Sequence, residues 1–216
     1  MAEQKENMRD FIPEPVLRRL PWYLAYVSML KDKNVEYVSS TNISRELNVD
    51  ASQIAKDLSF LNIKGKTRIG YEVAVLEKEL QDFLGFRRSH RAVIFGVGSL
   101  GGALMRDSGL SRYGLNIVAG FDISPVIVGT TICGAPIFSI DDLDRKCRAL
   151  RAEIGILTVP VDHAQEAADM LISAGVKCLW NFTPVRIRVA EGIVVTNTSI
   201  YAHLAVMYNR LDNLSQ

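Results

Sequence analysis

A short apolar run, Ala92-Val93-Ile94-Phe95, ends in Gly96-Val97-Gly98-Ser99-Leu100-Gly101, and a helical pattern continues through Leu104 and Met105. That order is strand, tight glycine turn, helix. The first glycine of such a turn lets the chain reverse, the second lets a backbone approach a pyrophosphate, and the third lets the helix pack closely on the strand. Gly96, Gly98 and Gly101 stand at those places. The helix N-terminus adds unpaired N–H groups and a partial positive charge that favour phosphate. A glycine triplet alone also fits a plain turn with no ligand. Here a second strand, Asn116 to Phe121, ends in Asp122, about 20 residues on, where an acid binds a ribose hydroxyl. A carboxylate at that place accepts from the 2′-hydroxyl of NAD and repels the 2′-phosphate of NADP. No arginine follows in Ile123 to Val128 to reverse the preference, so NAD and NADH are the expected cofactors.

The rest of this half alternates strand and helix. A small hairpin is expected through Gly129, Gly134 and Pro136, and Ser139-Ile140-Asp141-Asp142 reads as a capping-box start for a helix to Leu150. Glu153 to Pro160 reads as a buried strand with a proline stop. A helix from Asp162 to Ala174 ends at Gly175, and Lys177 to Trp180 and Ile193 to Thr196 are further strands. Apolar strands alternating with helices predict an α/β fold with a doubly wound parallel sheet. Ligands in that architecture sit at the C-terminal strand ends. The candidate cofactor residues are therefore Gly96, Val97, Gly98, Ser99, Leu100, Gly101, Asp122, Thr158, Val159, Pro160, Asn181, Phe182, Thr183 and Pro184.

The first half reads differently. Residues 1–12 suggest a disordered arm, and Pro13-Glu14-Pro15 opens a helix with Val16, Leu20, Leu24, Val27 and Leu30 on one face. Pro21 should kink or divide it. Arg18 and Arg19 fall on the exposed side, where a solvated face and phosphate contact are equally open readings. Ser39, Ser40 or Thr41 can cap a short helix carrying Ile43 and Leu47. Asn48 tolerates a left-handed turn, and Asp50 caps a second helix with Ile54, Leu58 and Leu61 inward. Ser52, Gln53, Lys56 and Ser59 are left outward. This is a helix-turn-helix pattern, although such pairs also occur as plain packing units. Gly65 and Gly70 then bracket Lys66-Thr67-Arg68 between the strand-formers Ile63, Ile69 and Tyr71, which predicts a basic-tipped hairpin, a wing. Between residues 51 and 71 Lys56, Lys64, Lys66 and Arg68 face a single acid, Asp57, although the whole chain of 216 residues carries a net charge of only +1. A basic tip beside a recognition helix reaches phosphates or the minor groove and gives salt-dependent affinity. Val73 to Leu84 should close this domain as an amphipathic helix.

Composition excludes several classes. An apolar fraction of 48% supports a packed core, yet no run approaches the about 18 residues of a membrane span. The polar start lacks a secretory signal. Cys133, Cys147 and Cys178 are odd in number and far apart, so a disulfide scaffold or zinc site is not expected and the cytoplasm is the default compartment. The C-terminal Ile200, Leu204, Met207, Leu211 and Leu214 step by 4-3-4-3, a narrow seam suited to the protein's own core or to another subunit.

Several motifs in one order resemble the Rex family of redox-sensing repressors, over nearly the whole chain. They are Pro13 to Pro21, Ser39-Ser40, Lys56-Asp57-Leu58-Ser59, Gly65-Lys66 with Gly70-Tyr71, the glycine turn, Phe121-Asp122, Thr158-Val159-Pro160 and Asn181-Phe182-Thr183-Pro184. The resemblance implies a winged helix-turn-helix domain over 13–85, a Rossmann domain binding NAD and NADH over 86–198, and an exchanged dimerisation helix over 199–216. It also implies a homodimer that releases double-stranded operator DNA when NADH binds. Two-fold symmetry would make that operator an inverted repeat. Ile200, Leu204, Met207 and Leu211 are then the dimerisation candidates. The DNA candidates are Arg18, Arg19, Ser39, Ser40, Ser52, Gln53, Lys56, Ser59, Lys64, Lys66, Arg68 and Tyr71. The chain departs from the family pattern at Ala25 and Ala55, where arginine is common, and at Ser199, where aspartate is common. Two other readings compete with a repressor. A dehydrogenase would need a proton carrier in the crevice, where His163 is the one candidate, and a CoA-binding module would share the glycine turn but not Asp122.

Overall fold

The computed structural model describes residues 12–214 and divides into two compact units, one ending at Arg87 and the other beginning at Arg88. Apart from residue 12, the expected arm lies outside the described residues, as do the last two residues of the expected dimerisation segment.

In the first unit α1 spans Glu14–Asp32 and buries Val16, Leu20, Tyr23, Leu24 and Val27. Pro21 is expected to kink or divide it, and the helix is not divided there. The hydrogen bond that proline removes would have ended on the carbonyl of Leu17, and Leu17 is exposed, so water can serve that oxygen. Strand β1, Tyr37–Val38, leads to α2, Ser40–Leu47, whose N-cap Ser39 accepts from the Asn42 N–H at 3.1 Å. Asn48 takes the left-handed conformation at φ 51°, and Asp50 then caps α3, Ala51–Leu58, by accepting from the N–H groups of Ser52 and Gln53. Ile54, Leu58 and Leu61 are buried as the periodicity requires. The wing is compact. A single antiparallel bridge joins Lys66 to Gly70, Arg68 sits at its tip with φ 64°, and β2, Tyr71–Glu72, pairs antiparallel with β1. Helix α4, Val73–Leu84, closes the unit.

The second unit is a seven-stranded sheet. Its strands are β3 (His90–Phe95), β4 (Leu115–Asp122), β5 (Thr131–Ile132), β6 (Ala135–Ser139), β7 (Ile154–Leu157), β8 (Cys178–Asn181) and β9 (Val194–Asn197). The spatial order is β5-β6-β4-β3-β7-β8-β9, and every pairing is parallel except β5 with β6. Helices α5 (Ser99–Arg106), α6 (Ser108–Arg112), α7 (Leu143–Leu150) and α8 (Ala164–Ser173) connect the strands, and α9 (Ile200–Leu214) follows the last of them.

Alternation along β3 shows why both faces are covered. Val93 and Phe95 pack with Leu143, Cys147, Ala164 and Ala167 of α7 and α8, whereas Ala92 and Ile94 pack with Met105 of α5. The chain leaves β3 toward β4 on one side and returns as β7 on the other, which opens a crevice at the C-terminal end of β3. Two local expectations need correction. Ser139 starts a 3-10 turn, Ile140–Asp142, rather than a capping box, because its hydroxyl bonds to the Asp141 carboxylate and accepts from the Asp141 N–H. Strand β7 stops at Leu157, and Thr158 to Pro160 leave the sheet as loop.

Candidate functional site

Each glycine of the turn meets a different constraint. Gly96 has φ 93°, and a Cβ there would lie 2.8 Å from the Thr158 carbonyl oxygen. Gly101 is tighter still, since its Cβ would fall 2.2 Å from the Gly96 carbonyl oxygen. The Thr158 hydroxyl donates to that same carbonyl at 2.6 Å, so the loops after β3 and β7 are tied together. Around Gly98 nothing lies within 4 Å of where a Cβ would be. That is the geometry of a loop pressed closed on its protein side and open where a ligand would approach. Asp122 stands beside it. Its Oδ2 accepts from the Val97 N–H at 2.6 Å and its Oδ1 from the Ser124 N–H at 2.8 Å, leaving one further lone pair on each oxygen.

A cleft of about 710 Å³ runs past these groups. Phe95, Gly96, Gly98, Asp122, Thr158, Val159 and Pro160 line it, together with Ile123, Ile140, His163, Glu166, Ala167 and Met170. Like Phe95, the second set is absent from the cofactor candidates read from the sequence, where His163 figures only as a dehydrogenase's proton carrier. These residues come from the segment after β4, the 3-10 turn after β6 and the start of α8, and only the strand order brings them together. Val97, Ser99, Leu100 and Gly101 belong to the same loop and helix start without lining the cleft.

Asn181, Phe182, Thr183 and Pro184 are not in the cleft wall. The Asn181 side chain is fully buried and its bonds are spent locally. Its amide donates to the Val185 carbonyl at 2.7 Å and to Asn197 Oδ1 at 2.9 Å, and its oxygen accepts from the N–H and the hydroxyl of Thr183. This residue joins the ends of β8 and β9. Phe182 packs on Trp180 with the rings tilted at 43° and their centroids 4.7 Å apart.

On the candidate nucleic-acid face Arg18 and Arg19, expected together on the exposed side, part company. Arg18 pairs with Glu14 in solvent. Arg19 turns inward as a two-pronged partner of Asp57, at 2.7 and 2.8 Å. Asp57 is wholly buried and also accepts from the Tyr23 hydroxyl and the Gln53 amide, each at 2.7 Å. Burial pushes its carboxyl upward, but Arg19, Tyr23 and Gln53 together outweigh burial and hold it below the ordinary carboxylate value. Arg19 is thus committed to anchoring α3 on α1, and Gln53 to bracing the same carboxylate from within α3. Ser52 and Lys56 remain exposed on α3, and Ser59 at its C-terminal cap. In the wing Lys64 and Arg68 are exposed, Lys66 donates to the Tyr37 hydroxyl at 2.6 Å, and Tyr71 packs beside Gly65. The Ser39 hydroxyl is engaged with Asn42, and Ser40 opens α2.

Along α9 no described residue is buried. Ile200, Met207 and Leu211 are more than half exposed, and Leu204 is partly covered. The cysteines carry no disulfide. Burial pushes the Cys147 thiol up to about 11 and raises Cys178, which disfavours the thiolate at both, while Cys133 is exposed. Among the described residues no helix is long and apolar enough to cross a membrane, and no His, Cys, Asp and Glu group could hold a metal ion.

Residues 11–59 match the family model described as "Putative DNA-binding protein N-terminus", and residues 87–185 match the model of a CoA binding domain. A redox-sensing transcriptional repressor Rex from Bacteroides fragilis is 62% identical over 201 residues, 93% of this chain and 91% of that one. Its counterpart from Porphyromonas gingivalis is 56% identical over 214 residues, 99% of this chain and 98% of the other. The chain belongs to the Rex family. Among solved structures, the Rex-family repressor RSP in complex with β-NAD+ and operator DNA matches with a TM-score of 0.90 and 31% identity, over 95% of this chain and 94% of that one. RSP in complex with β-NADH matches with a TM-score of 0.85 and 32% identity, over 95% and 96% of the two chains. The Rex assignment spans both units, so the winged helix and the Rossmann sheet are parts of one family architecture.

Proposed function

We propose that this chain is a redox-sensing transcriptional repressor, a cytoplasmic homodimer that holds an inverted-repeat operator and lets go when NADH occupies the cleft. One observation carries the reading. A loop closed by Gly96 and Gly101, open at Gly98 and flanked by Asp122, shares a chain with a capped helix-turn-helix. The residues fit a dinucleotide. The α5 N-terminus faces phosphate, the free lone pairs of Asp122 accept ribose hydroxyls, and the apolar far wall takes a flat ring. CoA fits less well, because the phosphate on its ribose would meet the Asp122 carboxylate. NADH should bind at least about tenfold more tightly than NADPH, or about 1.4 kcal/mol, and Asp122→Asn should narrow that gap. Titration calorimetry with both dinucleotides measures it.

Catalysis is not part of the proposal. His163 is the one imidazole on the cleft wall, its side chain is 66% exposed, and it faces Glu166 across 3.9 Å. Steady-state oxidation of NADH with a panel of carbonyl compounds should show no turnover. Regulation requires only a coupling free energy between cofactor and DNA. NADH carries an uncharged, puckered nicotinamide where NAD carries a planar cation. Only a difference in their affinity for the two dimer arrangements can move DNA binding. The exposed apolar seam of α9 supports the second subunit, and two recognition helices would then read adjacent half-sites.

The wing supplies a backbone-directed contact. Arg68→Gly keeps the left-handed conformation and removes one charge per subunit, so for the dimer it should reduce the magnitude of the slope of log K against log salt by about 1.8 without changing the preferred sequence. An unchanged slope in fluorescence anisotropy would place Arg68 off the phosphates.

A further inference from the structure

Past Asp122 the cleft becomes apolar, walled by Ile123, Ile140, Val159, Pro160, Ala167 and Met170. With the ribose on Asp122 and the pyrophosphate on the glycine loop, the base carried by that ribose is the part that reaches this end. Two polar side chains stand there, His163 and Glu166. No lysine or arginine lines the cleft. Glu166 also borders a neighbouring groove of about 640 Å³ together with Asp141, Asp144 and Asp169. Of these, Asp144 receives Arg148 and Asp169 receives Gln165, whereas Glu166 has only the distant His163 ring at 3.9 Å. Glu166 therefore offers this end of the cleft an acceptor. A carboxylate can only accept hydrogen bonds.

Resting on the reading of the cleft as a dinucleotide site, we infer that Glu166 determines base specificity by accepting a hydrogen bond from the exocyclic amine of adenine. Hypoxanthine presents a carbonyl oxygen at the same ring position, and that acceptor would face the Glu166 carboxylate instead. The site thus selects the adenine dinucleotide at two points, Asp122 for the ribose and Glu166 for the base.

The test compares NADH with its hypoxanthine analogue by titration calorimetry on the intact protein and on Glu166→Gln and Glu166→Ala. A charge-assisted bond open to solvent should make the wild type favour NADH by about fivefold. Gln can turn its amide to serve either base, so Glu166→Gln should bind both dinucleotides within about twofold, and Glu166→Ala should lose the preference by weakening NADH and relieving the hypoxanthine analogue. Equal binding of the two by the wild type, or an undiminished preference in Glu166→Ala, would overturn the role of Glu166 while leaving the cofactor site in place. If neither dinucleotide binds the wild type, the cofactor reading is overturned and this inference with it.

Discussion

Alanine at Gly101 should abolish NADH binding and destabilise the second unit, whereas alanine at Gly98 should abolish binding and leave stability unchanged. The two substitutions add the same methyl group to one loop. At Gly101 the methyl would lie 2.2 Å from the Gly96 carbonyl oxygen and 2.9 Å from the Thr158 hydroxyl. The first of these is backbone and cannot rotate away, so α5 must slide outward or the turn must open. Overpacking of this kind costs about 1–3 kcal/mol. It also displaces the N–H groups that would meet the pyrophosphate. At Gly98 the methyl meets no protein atom within 4 Å and projects into the space kept for the ligand. Thermal unfolding and NADH fluorescence titration on both variants separate the cases. Wild-type stability in Gly101→Ala, or wild-type affinity in Gly98→Ala, would show that the glycines are not assigned correctly.

Asp57→Asn should unfold or loosen the winged helix while NADH binding survives. Asp57 is the hub on which Arg19, Tyr23 and Gln53 converge, and an asparagine amide would present donors to groups that are themselves donors. Breaking a buried pair costs about 3–5 kcal/mol, and the partial exposure of Arg19 places this one toward the lower figure. Operator binding should fall with the population of folded first unit, and circular dichroism melting should show the loss. Acid acts through the same group. Its carboxyl is held low in the folded state, so its contribution is complete above the unfolded value of about 4 and is lost as pH falls through the lower folded value. Between pH 7 and pH 5 this group should therefore leave stability unchanged. An Asp57→Asn protein that melts and binds operator like the wild type would contradict the anchoring role.

What was legible in the chain is what a single residue type is needed for. The glycine turn, the left-handed Asn48, the Asp50 cap and the acid at the end of β4 each answer a local backbone demand, and local demands show in local sequence. Partnerships across distance do not. Helical periodicity puts Arg19 beside Arg18 on an outer face, but it cannot see Asp57, 38 residues away. The outer wall of the cleft is hidden for the same reason, because Ile123, Ile140, Glu166 and Met170 meet only after the strands take their order. Asn181 follows the strand-end rule and falls near the crevice, yet its amide is consumed by Val185, Thr183 and Asn197. A position at a strand end brings a residue near the crevice, but a side-chain hydrogen bond to a ligand also needs bonding capacity that is unspent. The α9 seam is legible as a stripe, but a stripe carries no statement of what covers it.

Operator affinity at fixed total dinucleotide and varied NADH:NAD ratio is the measurement that bears most directly on the account. Fluorescence anisotropy on the protein's own promoter region should show the bound fraction falling steadily as NADH replaces NAD. A bound fraction that stays level across the whole range of ratios would contradict the coupling and leave a DNA-binding unit and a dinucleotide site with no link between them.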